Sequence, residues 1–373
     1  MNVRVNLLAI FVLSICSTCA HAQFDTVINL PENPDSPNPS GFSGNFIGDR
    51  QGISSNTQLN VSNGGSIGPL FDAGAEGVPS TNVEVNVSGG AVGNGFDAFG
   101  GSTVNISGGT VGNNFEAFGG STVNISGGVV DSFFDAESGS TVNISGGTVG
   151  RDFDARGGST VDISGGTFGN DFTAFGTVNI SGGTFGNDFD AFGSSTVNIS
   201  GGEFLLNGSA INDITSPFNL SEGDVFTGTL EDGSSFIFST ESSDFLTGVN
   251  LFETSTPTLD TTPQIINTAS ALRSLGTGQT LTVQFGGALG DSLTAIGATL
   301  NVESGSIGNG AEVANSEVNV SGGSVGNDFS AFSGSTVNIT EGTVGFSFEA
   351  HDCLLYTSPS PRDRTRSRMP SSA

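Results

Sequence analysis

Residues 102–120 read STVNISGGTVGNNFEAFGG. Residues 121–139 read STVNISGGVVDSFFDAESG, and residues 140–158 read STVNISGGTVGRDFDARGG. The unit is 19 residues long and returns without a break. So short a period cannot enclose a core of its own, and each unit must bury its apolar groups against its neighbours. Thr103-Val104-Asn105-Ile106-Ser107 alternates strictly. That sends Val104 and Ile106 inward and Thr103, Asn105 and Ser107 outward. Gly108-Gly109 and Gly112-Asn113-Asn114 carry turn chemistry. Val111, Phe115 and Ala117 complete the inward set, and Gly119-Gly120 closes the unit. The pattern predicts an all-β protein, a parallel β-helix or β-solenoid with ~19-residue coils stacked at the ~4.8 Å spacing of paired strands.

The units can be compared column by column. One column holds Asn60, Asn86, Asn105, Asn124, Asn143, Asp162, Asn179 and Asn198. Its first interval is long, which places an insertion around Gly74 to Thr81 in a loop. A short interval marks a deletion near Phe175. Phe96, Phe115, Phe134, Phe153, Phe172, Phe189, Phe329 and Phe348 hold another column without exception, so an interior aromatic stack is expected. Three residues further on stand Phe99, Phe118, Glu137, Arg156, Phe175, Phe192, Phe332 and His351. This column admits charge, which assigns it to a corner or the outside and makes His351 a surface substitution.

The units occur in two blocks. Residues 1–22 combine Arg4, a short apolar core at Leu7 to Ile15, and Ala20-His21-Ala22, the pattern of an export signal. That apolar run is too short for a stable membrane anchor. Residues 23–43 read as a leader or N-terminal cap, with Thr26 to Leu30 covering the first coil. The first block spans 44–203, and residues 204–275 hold a β-hairpin cap and a linker. The hairpin signal is DVFTGTLEDGSSFIFST around Asp232-Gly233, and the linker carries Pro257 and Pro263. The second block spans 276–352, with its anchors at Asn301, Asn319 and Asn338. Residues 353–373, CLLYTSPSPRDRTRSRMPSSA, break every habit of the preceding chain. They resemble the in-frame translation of a sequencing-library adapter and are set aside from the fold. The natural chain is then expected to continue differently after Asp352.

The inventory limits the chemistry. Lys and Arg total 9 against 37 Asp and Glu, a formal net charge of −28. Between residues 23 and 352 the only cations are Arg50, Arg151, Arg156 and Arg273, and His351 is the only histidine. That stretch holds no cysteine, so it offers neither a disulfide nor a thiolate metal site. One histidine builds no Ser-His or Cys-His nucleophile pair. Nucleic acid is not an expected partner, because phosphate binding needs Lys and Arg. No membrane-spanning segment is expected in the mature chain. Polysaccharide lyases and hydrolases do use β-helices. A catalytic site would stand out as a local departure from the repeat, however, and no such acidic cluster does. The expectation is a protein that is not an enzyme.

Two outward acidic rows are the candidate sites. Asp97, Glu116, Asp135, Asp154, Thr173 and Asp190 form the first, and Asn114, Asp152, Asp171, Asp188 and Asp328 form its companion at the turn. Stacked like charges repel, and calcium, which takes clustered oxygen ligands, would relieve them. The candidate calcium ladder is Asp97, Glu116, Asp135, Asp152, Asp154, Asp171, Asp188 and Asp190. Gly169-Asn170-Asp171 and Gly186-Asn187-Asp188 look like the turns of calcium-binding β-roll repeats, but the full glycine-rich nonapeptide is absent. Turn-forming habit accounts for the same residues. The neutral row of Thr103, Asn105 and Ser107 resembles the ice-binding face of some solenoids. It is also what a hydrated strand shows.

STVNISGGTVG, NDFDAFG and GDVFTGTLEDGSSFIF resemble repeat-rich exported proteins of marine planctomycete-type bacteria. The resemblance covers most of residues 60–352. It implies a β-solenoid of unassigned activity, often followed by a sorting anchor. The reading is a secreted or cell-surface, non-catalytic, adhesin-like solenoid whose partners are extracellular polysaccharide or the cell envelope. The alternatives are a calcium- or glycan-binding module and, third, a β-helix carbohydrate-active enzyme.

Overall fold

A computed structural model describes residues 24–33, 37–38, 44–78, 80–240, 246–351 and 354–357. The export signal expected at residues 1–22 lies outside them, as do parts of the leader and residues 358–373 of the tail. The described residues form strands, turns and bends with no helix.

Each coil of the first block pairs in parallel with the next. The long strands Val83–Val92, Ser102–Val111, Thr122–Val130, Thr141–Val149, Thr160–Phe168, Thr177–Thr184 and Thr196–Leu206 lie side by side in a 15-stranded sheet. The short strands Phe96–Ala98, Phe115–Ala117, Phe134–Ala136, Phe153–Ala155, Phe172–Ala174 and Phe189–Ala191 belong to an 8-stranded sheet that closes the other side. Register sets like on like, as in Val104↔Val123, Asn105↔Asn124 and Phe115↔Phe134. The second block repeats the plan with a 9-stranded and a 5-stranded sheet.

The alternation seen in the sequence becomes burial. Val104, Phe115 and Ala117 have no solvent exposure, and Ile106 and Val111 show 1%. The phenylalanine column is the expected aromatic stack: Phe96, Phe115 and Phe134 lie face to face with centroids 4.8 and 4.6 Å apart. Phe153 turns its ring by 83° to Phe134, then stacks on Phe172 at 4.7 Å. Phe71 extends the column by one coil that the 74–81 insertion hides in the sequence. Phe348, in the last coil, is only half-buried.

The hairpin forms as expected, Val225–Leu230 against Ser235–Ser239 in antiparallel register. It is more than a lid. One face continues the interior stack, with Phe238 on Phe189 at 4.5 Å. The other buries Val225 and Ile237 against Ile296, Ala314 and Phe332 of the second block. Two further expectations change here. Residues 204–275 contain a coil after all: Val249–Glu253 stacks in parallel on Thr196–Leu206, pairing Asn250 with Asn198. The linker also supplies the first rung of the second block, because Gln264–Ile266 pairs with Thr280–Val283, ahead of residue 276. Neither strand carries the VNIS phrase, so both are found through their partners. In the tail, Leu354–Thr357 pairs with Thr336–Val344. An open strand edge accepts an extended segment of almost any sequence.

Neighbouring residues in one coil respond oppositely to substitution. Phe134 is fully buried in the stack, and Phe134→Ala should cost about 3–5 kcal/mol. Phe133 is 43% exposed at a positive φ of 63°, a backbone region bulky side chains avoid. Phe133→Asn should therefore raise stability by about 1 kcal/mol. Urea unfolding of both variants reads the two signs directly.

Candidate functional site

The middle residue of each short strand faces outward, which lines up the first acidic row. Register runs Asp72↔Asp97, Asp97↔Glu116, Glu116↔Asp135, Asp135↔Asp154, Asp154↔Thr173 and Thr173↔Asp190. Asp72 extends the row by one coil beyond Asp97. The Phe-Asp-Ala triplet at residues 71–73 was the available signal.

Burial and mutual repulsion oppose ionisation along this row. Asp97 is pushed up to about 7, first by burial and then by Glu116, Asp72 and Glu76. Asp72 is raised by burial and by Glu76. Glu116 is raised by burial, then by Asp135 and Glu137, with Arg156 opposing. Asp154 is raised chiefly by burial, again against Arg156. Arg156 bridges the middle of the row: its Nη2 lies 2.9 Å from Asp135 Oδ2 and 3.1 Å from Asp154 Oδ2, and its Nε lies 3.9 Å from Glu137 Oε1. The centre is thus compensated and the N-terminal end is not.

The companion row has a backbone origin. Asn114, Asp152, Asp171, Asp188 and Asp328 all sit at positive φ, between 55° and 67°. Asn and Asp tolerate that conformation better than other residues with side chains. Glu116, Asp135, Asp152, Asp154 and Asp171 meet around one polar recess of about 310 Å³ with Arg156 at its side. Asp97 and Asp190 do not line it. Asp188 lies apart as well, in a recess of about 220 Å³ with Glu312, Asp328 and Glu349 of the second block. Among the described residues no three His, Cys, Asp or Glu side chains form a group able to hold a metal ion. The rows offer carboxylates in lines, one per coil, rather than a closed calcium cage.

The neutral face is built as a ladder of amides. Asn105 Nδ2 donates to Asn86 Oδ1, Asn124 to Asn105 and Asn143 to Asn124, each at 2.8 Å. The ladder reaches Asn29 at one end and Asn250 at the other, both outside the recognised repeats. Asp162 accepts from Asn179 at 2.5 Å but has no N–H to offer Asn143. These asparagines are engaged in holding coils together. A second device escaped the sequence reading. Buried Ser102, Ser121, Ser140 and Ser159 each donate to the carbonyl three residues back at 2.6–2.7 Å, pinning the corner. The serine column was visible, but its burial was not.

The charge-tolerant column does form a corner. Phe99 stacks on Phe118 at 4.8 Å, and Phe175 on Phe192 at 5.4 Å, with Glu137 and Arg156 between the two pairs. Phe99 and Phe332 are buried there, while Phe175 is 39% exposed. His351 stacks on Phe332 at 5.4 Å, with Nε2 3.3 Å from Glu349 Oε2.

No family model and no curated protein matches the sequence. Among solved structures, the crystal structure of a TibC-catalysed hyper-glycosylated TibA fragment matches at 13% identity and a TM-score of 0.35. The match covers 90% of this chain and 96% of that one. Among the described residues no helix is long and apolar enough to cross a membrane.

Two measurements test these assignments. A carboxyl group whose folded pKa is raised binds its proton more tightly in the native state. Its contribution is present in acid and is lost as pH rises toward the folded value, about 7 for Asp97. Melting temperature should therefore rise as pH falls from 8 to 5, and Asp97→Asn should gain stability at pH 8 while changing little at pH 4. Asn124→Ala breaks the amide ladder on both sides and should cost about 1 kcal/mol by urea unfolding.

Proposed function

We propose that the protein is a secreted or surface-displayed, non-catalytic scaffold of adhesin-like character, whose contacts are with extracellular polysaccharide or the cell envelope. The observation that carries this reading is the linear arrangement of its chemistry. Carboxylates and amides come about one per coil and run along the rod, with corner rings in pairs beside them. Catalysis needs groups converging on one reacting centre, whereas contact with a long polymer is served by repeated groups in a line. The acidic, lysine-free composition suits an extracellular surface that resists self-association.

The second reading is a cation- or glycan-binding module. It is favoured by the partly exposed corner rings Phe118, Phe175 and Phe192, since ring faces are the usual apolar platform for sugars.

The full chain should adsorb to insoluble polysaccharide or to isolated bacterial envelopes. Removal of residues 121–139, one whole coil, should leave a folded rod whose adsorption is reduced only in part. Turnover of an anionic polysaccharide that vanishes on changing one carboxylate pair would overturn the scaffold reading in favour of an enzyme.

A further inference from the structure

The amide face carries two departures from the repeat, and they meet at one recess. Two residues after each asparagine of the ladder stands a serine, from Ser62 to Ser200. The last coil of the first block keeps the asparagine, Asn250, but holds Phe252 in place of the serine, directly beside Ser200. The asparagine column of that block is itself broken at Asp162. An open recess of about 420 Å³ is lined by both departures, Asp162 and Phe252, with Asn179, Asn198, Ser181 and Ser200 between them. Asp162 and Phe252 stand three rungs apart, ~14 Å at strand spacing.

This lining offers what a sugar needs. Phe252 is 51% exposed, so a ring is held at the surface by a strand of the sheet rather than by a loop. The C–H face of a pyranose packs on such a ring, and a few placed polar groups fix its orientation. Asp162 accepts one hydrogen bond, from Asn179 Nδ2 at 2.5 Å, and a carboxylate has about four acceptor sites. Along the ladder each amide donates to the coil before it, so Asp162 also deprives Asn143 of its donor. Hydroxyl groups from outside can satisfy both. Asn198 gives one N–H to Asn179 Oδ1 at 2.6 Å, and each of these two amides carries a second.

We propose that this recess binds an uncharged pyranose segment of an extracellular polysaccharide, with a sugar face on Phe252 and hydroxyls on Asp162 and the amides. Such binding rests on the polysaccharide contact proposed above and gives it a place and a class of sugar. The lining selects the occupant. Asp162 is its one charged group and no arginine lines it, so a uronate or sulfated sugar would meet repulsion without a counter-charge. A lone cation would use Asp162 and leave the ring, the hydroxyls and the amides without a role.

Two reversions test the site, because each restores the residue that the repeat itself uses. Asp162→Asn completes the amide ladder, and Phe252→Ser extends the serine column. Calorimetric titration of the full chain with cellohexaose, laminarihexaose and mannohexaose should show binding of at least one. Phe252→Ser should weaken that binding about tenfold and Asp162→Asn about three- to tenfold, with the melting temperature of neither variant lowered. Hexagalacturonate should bind more weakly than the neutral probe. Adsorption to insoluble polysaccharide separates this site from the broader reading. If the chain adsorbs while both reversions bind as the wild type does, the site is wrong and the polysaccharide reading stands. Tighter binding of hexagalacturonate, or indifference to all three neutral probes, also overturns the site. Loss of adsorption together with those probes removes the polysaccharide reading with it.

Discussion

Parallel stacking in register is the constraint from which the rest follows. Every coil lays its residues directly over their counterparts in the coil before, at strand spacing. Each position must therefore hold a residue that tolerates its own kind as a neighbour. Phenylalanine does, because rings stack face to face or edge to face. Asparagine does, because one amide donates where the next accepts. Aspartate does not, and where it is stacked ionisation is opposed at Asp97, whose pKa is raised, and a guanidinium bridges the row at Arg156.

The same rule sets what could be read from the sequence. The period, the aromatic column and the hairpin are written locally, in alternation and turn residues, and they appear in the structure as expected. The rung at Val249–Glu253 and the rung at Gln264–Ile266 are not written locally, since their membership rests on a partner many residues away. The hairpin's second face could not be foreseen, because Val225 and Ile237 announce only that they are apolar, not that another block will cover them.

The candidate sites divide in the same way. The outward acidic row was legible from alternation. The companion row was legible as turn chemistry or as ligands, and the positive φ at Asp152, Asp171 and Asp188 supplies the turn requirement. Which carboxylates lack a cation depends on the reach of Arg156 across three of them. Sequence spacing does not carry that information.

The irregular coils have a consequence of their own. A rod of perfect repeats could slide by one whole unit and lose almost nothing, because every contact would be replaced by an identical one. Arg156 sits across Asp135 and Asp154, Phe133 lies beneath Arg151 at 5.7 Å, and Asp162 interrupts the amides where no neighbour does. Each mark makes its coil unlike the coils beside it. The flaws are addresses that tell one coil from the next.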